Sequence, residues 1–136
     1  MKLVETVEGD GPLILGLPHT GTWLPEPVSD ALTPLGRSLS DTDWHIERLY
    51  DGLLPGVTTV RTRAHRYLID VNRDPSGASL YPGQNTTGLV PLTDFDGRAL
   101  WRQPPDPAAM ARRLAEYHRP YHAALAAQIE RVRAVH

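Results

Sequence analysis

The hydrophobic positions of this chain fall into short blocks whose spacing predicts strands and helices in alternation. Residues 13–17 form a continuous apolar run, which is typical of a buried strand. Apolar side chains with helical spacing predict a helix over residues 41–54. Further apolar segments at 57–62 and 67–71 predict two strands that a short connection joins as a hairpin. Elements that alternate in this way predict an α/β sheet.

The last part of the chain predicts one long helix over residues 107–135. Asp106 is a suitable N-cap for it, and Pro120 lies inside its apolar stripe and predicts a kink. His118 and His122 are four residues apart and share a face, but no glutamate occupies the inner position typical of metal-binding helices. Structural or substrate-lining histidines are therefore favoured over metal ligands.

Prolines and glycines interrupt the pattern most of all in residues 76–100. A region of this length without periodicity is usually functional or disordered. Tyr81 and Gln84 lie within it and are able to hydrogen-bond a small polar ligand, and the alternative is a solvated surface loop.

Three polar residues come at the end of the predicted strand at 67–71. Asp70, Asn72 and Arg73 lie where open α/β sheets place their ligand sites, outside the carboxyl ends of strands. The period of two in a strand predicts that Asp70 and Asn72 point to the same side. The guanidinium of Arg73 matches a planar carboxylate. The alternative is a structural Arg–Asp pair that closes the strand end.

A second polar cluster follows the first strand and opens the predicted helix. His19 comes just after the strand, and Asp41, Asp43 and His45 lie within five residues of one another. Imidazole nitrogen and carboxylate oxygen are both zinc ligands. The alternatives are a loop histidine bonded to backbone and carboxylates that cap a helix, because Ser40 and Asp43 have the spacing of a capping box.

Composition limits the remaining possibilities. The 136 residues suit one domain, 1–136, and the apolar fraction of 40% predicts a folded core. The net charge of −2 without a basic block argues against a nucleic-acid partner. The absence of cysteine excludes disulfides and thiol catalysis, so that any zinc must use histidine and carboxylate ligands. No apolar run approaches the roughly 20 residues of a membrane span, and the N-terminus lacks a signal-peptide core, which favours the cytoplasm.

Six phrases in order resemble the N-formylglutamate amidohydrolase family. They are PHTGTWLP, SDTDWHIERLYD, RYLIDVNRDP, LYPGQNTTGLVP, TDFDG and YHRPYHAAL, which cover nearly the whole chain. The resemblance implies a three-layer α/β sandwich with a mixed sheet, similar to zinc carboxypeptidases and aspartoacylases. Family members are substantially longer and continue with a strand that ends in an Asp-x-His-Ser phrase. This chain therefore resembles an N-terminal portion, or a shortened member, that lacks the C-terminal part.

The resemblance also implies a reaction and a set of roles. The reaction is metal-dependent removal of the formyl group from N-formylglutamate, a step of histidine degradation that gives formate and glutamate. The metal is a divalent ion, with zinc favoured, bound by His19 and Asp43. Second-shell or alternate ligands are Asp41, His45, Asp70 and His122. The substrate is held by Asn72, Arg73, Tyr81 and Gln84, while Arg66 stabilises charge on the reacting oxygen.

Two other functions remain open. One is hydrolysis of a different N-acyl amino acid. The other is non-catalytic, a truncated domain that binds a small acid or a partner protein. The family places the third metal ligand and the general base beyond this sequence, so the chain alone is expected to be inactive. It is also expected to self-associate, because a missing strand leaves an unpaired sheet edge.

Overall fold

A mixed three-stranded sheet forms the centre of the computed structural model, which describes residues 2–50, 52, 54–76 and 88–136. Its strands are β1 (Val4–Val7), β2 (Ile14–Leu17) and β3 (Thr58–Thr62), in the order β1-β3-β2. The central strand β3 pairs antiparallel with β1 and parallel with β2. The predicted strands at 13–17 and 57–62 are thus confirmed within one residue, whereas β1 was not predicted because only two of its four residues are apolar.

One face of the sheet is covered by the C-terminal helix, as the sequence predicts. It consists of α4 (Pro107–Arg113), a π-helical turn (Leu114–His118) and α5 (Arg119–Val135). The predicted N-cap is confirmed, because the Asp106 carboxylate accepts from the Ala109 N–H at 2.7 Å. The helix packs closely on the sheet, since a Cβ on Gly16 of β2 would lie 2.9 Å from the Tyr121 hydroxyl.

The segment between β2 and β3 contains three short helices. They are α1 (Glu26–Ala31), α2 (Pro34–Arg37) and α3 (Ile46–Leu49). The predicted helix over residues 41–54 is wrong in its length, because α3 begins only after His45, whose φ of 62° is left-handed. The predicted capping box at Ser40 and Asp43 is therefore also wrong. Both residues precede the helix as irregular chain.

The predicted strand at 67–71 and its hairpin are wrong. Residues 66–73 instead form irregular chain with tight turns, called the buried turn below, in which the Leu68 N–H donates to the His65 carbonyl at 2.9 Å. The side chains of Tyr67, Leu68, Ile69 and Val71 are each no more than 1% exposed, so the continuous apolar pattern marks burial on all sides. A buried turn and a buried strand give the same pattern, and periodicity does not separate them.

The buried turn and the helix share one core. Val60 of β3, Tyr67, Ile69 and Tyr121 of α5 lie in the same cluster, together with Leu100 from the irregular segment before the helix. Tyr81 and Gln84 lie outside the described residues. No helix of the described chain combines the length and apolar character that crossing a membrane requires.

Candidate active site

His19 lies two residues beyond the end of β2, in a segment held by backbone contacts on both sides. Its carbonyl accepts from the Asp43 N–H at 2.9 Å, which joins the two predicted ligand segments. Gly21 packs so closely on the next segment that a Cβ there would lie 2.4 Å from the carbonyl of Arg63. Trp23 forms a parallel bridge with Ala64. These contacts fix the histidine at the carboxyl end of the sheet, where ligand sites of α/β proteins form.

The imidazole of His19 lies between two carboxylates. Its Nε2 is 2.7 Å from Asp70 Oδ1, and its Nδ1 is 3.8 Å from Asp43 Oδ2. An ionised carboxylate only accepts hydrogen bonds, so Nε2 carries the proton and donates to Asp70. In the neutral ring Nδ1 then presents a lone pair toward Asp43. Two lone-pair atoms 3.8 Å apart can be bridged by a cation whose bonds are about 2.0–2.2 Å long.

Asp70 is the centre of this cluster and is fully buried. Besides His19, it accepts from Arg66 at 3.2 Å and from the Asn72 N–H at 2.9 Å. Burial by itself would raise the pKa of Asp70. The hydrogen bond from His19, the charges of His19 and Arg66 and the Asn72 N–H outweigh that effect and hold the pKa below its usual value. Asp70 is therefore a charged acceptor that orients both His19 and Arg66.

Arg66 and Tyr67 connect Asp70 to Asp41. Arg66 donates to the Asp41 carbonyl at 3.3 Å, and the Tyr67 hydroxyl donates to the Asp41 carboxylate at 2.6 Å. Burial, strengthened by this hydrogen bond, raises the pKa of Tyr67 to about 12. Arg66 is 8% exposed, and its buried Nε has no hydrogen-bond partner among the described residues. An unsatisfied buried donor of this kind is a candidate contact for a bound ligand.

Asn72 and Arg73 follow Asp70 in a tight turn. The Arg73 N–H donates to the Asp70 carbonyl at 3.1 Å, and the Arg73 guanidinium contacts the Asn72 carbonyl at 3.1 Å. Asn72 is exposed while Asp70 is buried, so the prediction that both point to one side is wrong. The cause is the turn itself, since the period of two applies only to extended strands.

The two remaining predicted histidines of the described chain, His122 and His45, differ in their contacts and exposure. His122 donates from Nε2 to the Val71 carbonyl at 2.7 Å, which places it against the same turn. His45 is exposed and its ring faces Trp44 at 6.4 Å. It lines a cavity of about 620 Å³ together with Thr20, Glu47 and Arg48. The structure thus brings Asp43 and Asp70 into contact with His19. Arg66 joins them through Asp70, and Asp41 is connected through Arg66 and Tyr67.

His65 is a polar residue of this region that the sequence predictions did not include. It is fully buried, accepts from the Tyr67 N–H at 3.0 Å and contacts the Thr42 hydroxyl at 2.9 Å. Burial, with the nearby charge of Arg66, lowers its pKa to about 3. His65 thus stays neutral and links the Thr42 segment to the buried turn. The proximity of His65 to Arg66 in the sequence is the only signal that points to it.

The chemistry of the donor set fits a divalent metal in part. His19 Nδ1 and Asp43 Oδ2 could supply two ligand atoms, and Asp70 bonds the other ring nitrogen of His19, as carboxylates commonly do with zinc-binding histidines. The part of the chain that the structure describes contains no group of three or more His, Cys, Asp or Glu residues arranged to hold a metal ion. The mixed sheet with helices defines the class, an α/β protein, and its polar side chains gather at the carboxyl end of a parallel strand.

Comparison with known proteins defines the family. The family model of N-formylglutamate amidohydrolase matches residues 11–136. N-formylglutamate deformylase of Pseudomonas aeruginosa is 43% identical in an alignment 136 residues long, which covers 98% of this chain and 51% of that protein. The enzyme of the same name from Pseudomonas putida is 38% identical over 97% of this chain and 50% of its own length. The chain belongs to the N-formylglutamate amidohydrolase family, and it spans about half the length of these relatives.

Solved structures agree with this assignment. The crystal structure of N-formylglutamate amidohydrolase from Ralstonia eutropha is 28% identical with a TM-score of 0.74, covering 97% of this chain and 52% of that one. A gene product of Agrobacterium tumefaciens is 21% identical with a TM-score of 0.70, covering 98% of this chain and 52% of that one. The second likeness supports the fold alone.

Proposed function

We propose that this chain carries the metal-binding and carboxylate-binding part of an amidohydrolase that removes the formyl group from N-formylglutamate. The observation that carries the proposal is the position of His19, whose Nε2 is bonded to Asp70 while its Nδ1 faces Asp43. This orientation suits a histidine that offers a lone pair to a cation. The names of the relatives supply the reaction class.

His19 and Asp43 would hold the divalent metal, for which zinc is our proposal. When bound, such an ion polarises a carbonyl oxygen and lowers the pKa of a coordinated water. Asp70 keeps the proton of His19 on Nε2 and fixes the ring plane, so the ligand atom stays directed at Asp43. The Asp41 carboxylate accepts a hydrogen bond from the Tyr67 hydroxyl, and the Asp41 carbonyl accepts one from Arg66. Asp41 is therefore a supporting residue in this proposal.

Arg66 is the proposed stabiliser of negative charge on the substrate oxygen. Its NH1 and NH2 groups are tied to Asp41 and Asp70, so the guanidinium is held in one orientation. The Nε donor has no partner among the described residues, and leaving a buried donor unpaired costs about 1–3 kcal/mol. A ligand oxygen at this position would remove that cost. Donors fixed before the reaction are the kind that stabilise developing charge.

Arg73, with Asn72, is the proposed site for a substrate carboxylate. Both residues directly follow Asp70 in the turn and lie toward the protein surface. One short segment thus carries Asp70, which bonds the His19 imidazole, and Arg73, which would bind the substrate carboxylate. A guanidinium binds a carboxylate with two parallel hydrogen bonds. N-formylglutamate carries two carboxylates, and a neutral N-formyl amine carries none, so this residue selects for the acid.

A non-catalytic function is the second candidate. The described residues supply two metal ligands and lack a group of three, which favours a domain that binds a small acid without hydrolysing it. A related hydrolase of another N-acyl amino acid is equally compatible with Arg73.

We also propose that the whole family fold is the three-layer arrangement of zinc carboxypeptidases, and that the protein acts in the cytoplasm.

The first experiment measures binding to the 136-residue chain. Isothermal titration with zinc, followed by N-formylglutamate, should give saturable binding of both. The His19→Ala variant should lose zinc binding, whereas Arg73→Ala should lose about tenfold or more in affinity for the acid and retain zinc. Arg112→Ala is the matched control, because Arg112 is an exposed arginine of α4. Equal loss of acid binding in both arginine variants would contradict the proposed site.

The second experiment separates the two candidate functions. The part of the Pseudomonas aeruginosa relative that this chain does not match is supplied as a separate polypeptide, and formate release from N-formylglutamate is measured. Turnover that requires both polypeptides and His19 supports the amidohydrolase. Acid binding without turnover in the mixture, when the two parts form a complex, supports the binding domain instead.

A further inference from the structure

The C-terminal helix donates three side-chain hydrogen bonds to backbone carbonyls of the buried turn. Arg113 NH1 bonds the Leu68 carbonyl at 2.9 Å, His122 Nε2 bonds the Val71 carbonyl at 2.7 Å, and His118 Nε2 bonds the Arg73 carbonyl at 2.9 Å. Only a nitrogen that carries a proton can donate to a carbonyl, so both imidazoles are protonated on Nε2. The three residues form a donor row along one helix face.

The donor row serves the part of the turn that carries the polar cluster. Leu68 and Arg73 flank Asp70 on its two sides, and Val71 follows it directly. No strand among the described residues pairs with this turn to satisfy its carbonyls, and a buried carbonyl without a donor is costly. The helix side chains donate the hydrogen bonds that a neighbouring strand would otherwise supply. Arg113 is also held over the Trp101 ring at 5.4 Å, which fixes its guanidinium.

The π-helical turn sets the register of the donor row. Within it the Arg119 N–H donates to the Leu114 carbonyl, five residues earlier, where an α-helix would use a spacing of four. Arg113 and His118 are five residues apart, so the wider turn brings them to the same face. His118 and His122 are four apart in the following α-helix, and their rings stack at 4.5 Å with an interplanar angle of 24°.

We propose that Arg113, His118 and His122 are positioning residues that hold the turn from Asp70 to Arg73 in its ligand-binding conformation, with the π-helical turn as the device that aligns them. The proposal rests on the proposed function of Arg73 as a carboxylate site. The two histidines bond the carbonyls on either side of Asn72, so they fix the backbone from which Asn72 and Arg73 project. Neither histidine needs to contact the substrate.

The test compares leucine and glutamine at each histidine. Leucine removes the donor, whereas glutamine keeps an N–H donor of similar reach. The readout is hydrogen exchange of the Asn72 and Arg73 amides, measured by NMR against the amides of β3. His118→Leu and His122→Leu should speed exchange at the turn by about fivefold to tenfold relative to β3, the ratio that one hydrogen bond typically contributes. The glutamine variants should return most of that protection.

Gln128→Leu is the matched control, because Gln128 is buried on the same helix and bonds Glu8 at 3.0 Å, far from the turn. It should lower the melting temperature without a selective change at Asn72 and Arg73. Exchange that rises equally at the turn and in β3 overturns the proposal.

Ligand titration distinguishes this proposal from the proposed function. If Arg73 binds the acid, His118→Leu should raise the Kd for N-formylglutamate by about tenfold and change the Kd for zinc by less than about threefold. Acid affinity that stays at the level of the unmodified chain despite a loosened turn overturns the positioning role. If the unmodified chain binds no acid, the proposed function fails, and the exchange data alone decide whether the donor row holds the turn.

Discussion

The orientation of His19 depends on a single carboxylate. Asp70 accepts from His19 Nε2 and from Arg66, and it is buried where no water replaces those bonds. The side chain thereby determines which imidazole nitrogen faces Asp43. Residues behind a metal ligand commonly affect metal affinity nearly as strongly as the ligand does.

The Asp70→Asn variant should therefore weaken zinc binding without changing a ligand atom. The amide keeps an oxygen acceptor but loses the charge that pairs with Arg66, and the affinity for zinc should fall about 10-fold to 100-fold. Competition with a chelating dye measures this change. Asp74→Asn is the control, because Asp74 lies exposed in the same segment and bonds Ser76. A similar loss of affinity in both variants would show a general charge effect.

His65 should make the stability of the protein depend on pH below neutrality. In the unfolded chain this side chain takes up a proton below its ordinary pKa of 6.5, whereas burial keeps it neutral in the folded state down to about pH 3. Its contribution to the free energy of unfolding is complete above pH 6.5. It is lost as the pH falls toward 3, by about 1.4 kcal/mol per pH unit.

Urea unfolding of the unmodified chain and of His65→Gln between pH 7 and pH 4.5 measures this dependence, since glutamine carries no titrating group. The unmodified chain should lose stability more steeply with falling pH than the variant does. If the free energy of unfolding falls with pH in parallel for the two proteins, His65 takes up a proton in the folded state as easily as in the unfolded chain, which contradicts the prediction.

The sequence predicts several of the residues at the site but not their partners. His19 and Asp43 were predicted as a pair, and the structure places their side chains 3.8 Å apart. The bond from His19 to Asp70 and the one from Tyr67 to Asp41 join residues 51 and 26 positions apart. Contacts across such distances depend on the packing of the whole core, so no local pattern contains them.

At the level of elements, close backbone contact decides how the segment after β2 is placed. Gly21 lies against the carbonyl of Arg63, and the adjacent Trp23 bridges Ala64. This contact joins the segment that carries His19 to the segment that leads into the buried turn. A side chain at this glycine has no space in the structure.

The Gly21→Ala variant should destabilise the fold by about 1–3 kcal/mol, because its Cβ would lie 2.4 Å from backbone that has to move. Urea unfolding measures the loss. Gly88→Ala is the matched control, since no atom of the described residues lies within 4 Å of its added Cβ, and it should leave the stability nearly unchanged. If Gly21→Ala is as stable as the control, the two segments are separable, and the position of His19 depends on β2 alone.

β3 and the C-terminal helix each have a regular pattern that matches their geometry, and β2 is predicted correctly from a continuous apolar run. The segment around Tyr67 fails because it is buried on every side, and its carbonyls are satisfied by helix side chains. The predicted helix over residues 41–54 fails for a different reason. The left-handed backbone at His45 starts the helix late, and nothing in the residue type requires that conformation.

At the level of the whole molecule, the sheet of the described residues has an open edge. β2 is an edge strand of this three-stranded sheet, and the side of β2 that does not pair with β3 carries backbone groups that another strand can bind. The chain covers about half of each relative, so each relative contains about as much chain again outside the matched part.

The 136-residue chain alone should not release formate from N-formylglutamate at an ordinary enzymatic rate. Catalytic zinc normally has three protein ligands and one open position, whereas His19 and Asp43 supply two, and the described residues contain no group of three. The nearby carboxylates have other roles, since Asp70 bonds His19 and Arg66 while Asp41 bonds Tyr67. Neither of these two carboxylates is therefore free to accept a proton from the attacking water.

The assay is formate production by the purified chain with added zinc or cobalt, with His19→Ala as the control for contaminating enzyme. Enzymes commonly turn over at about 1–1000 per second, and the expected rate is far below that range. Turnover within the range that disappears in His19→Ala would contradict the prediction. It would mean that another histidine, such as His45, moves to complete the metal site.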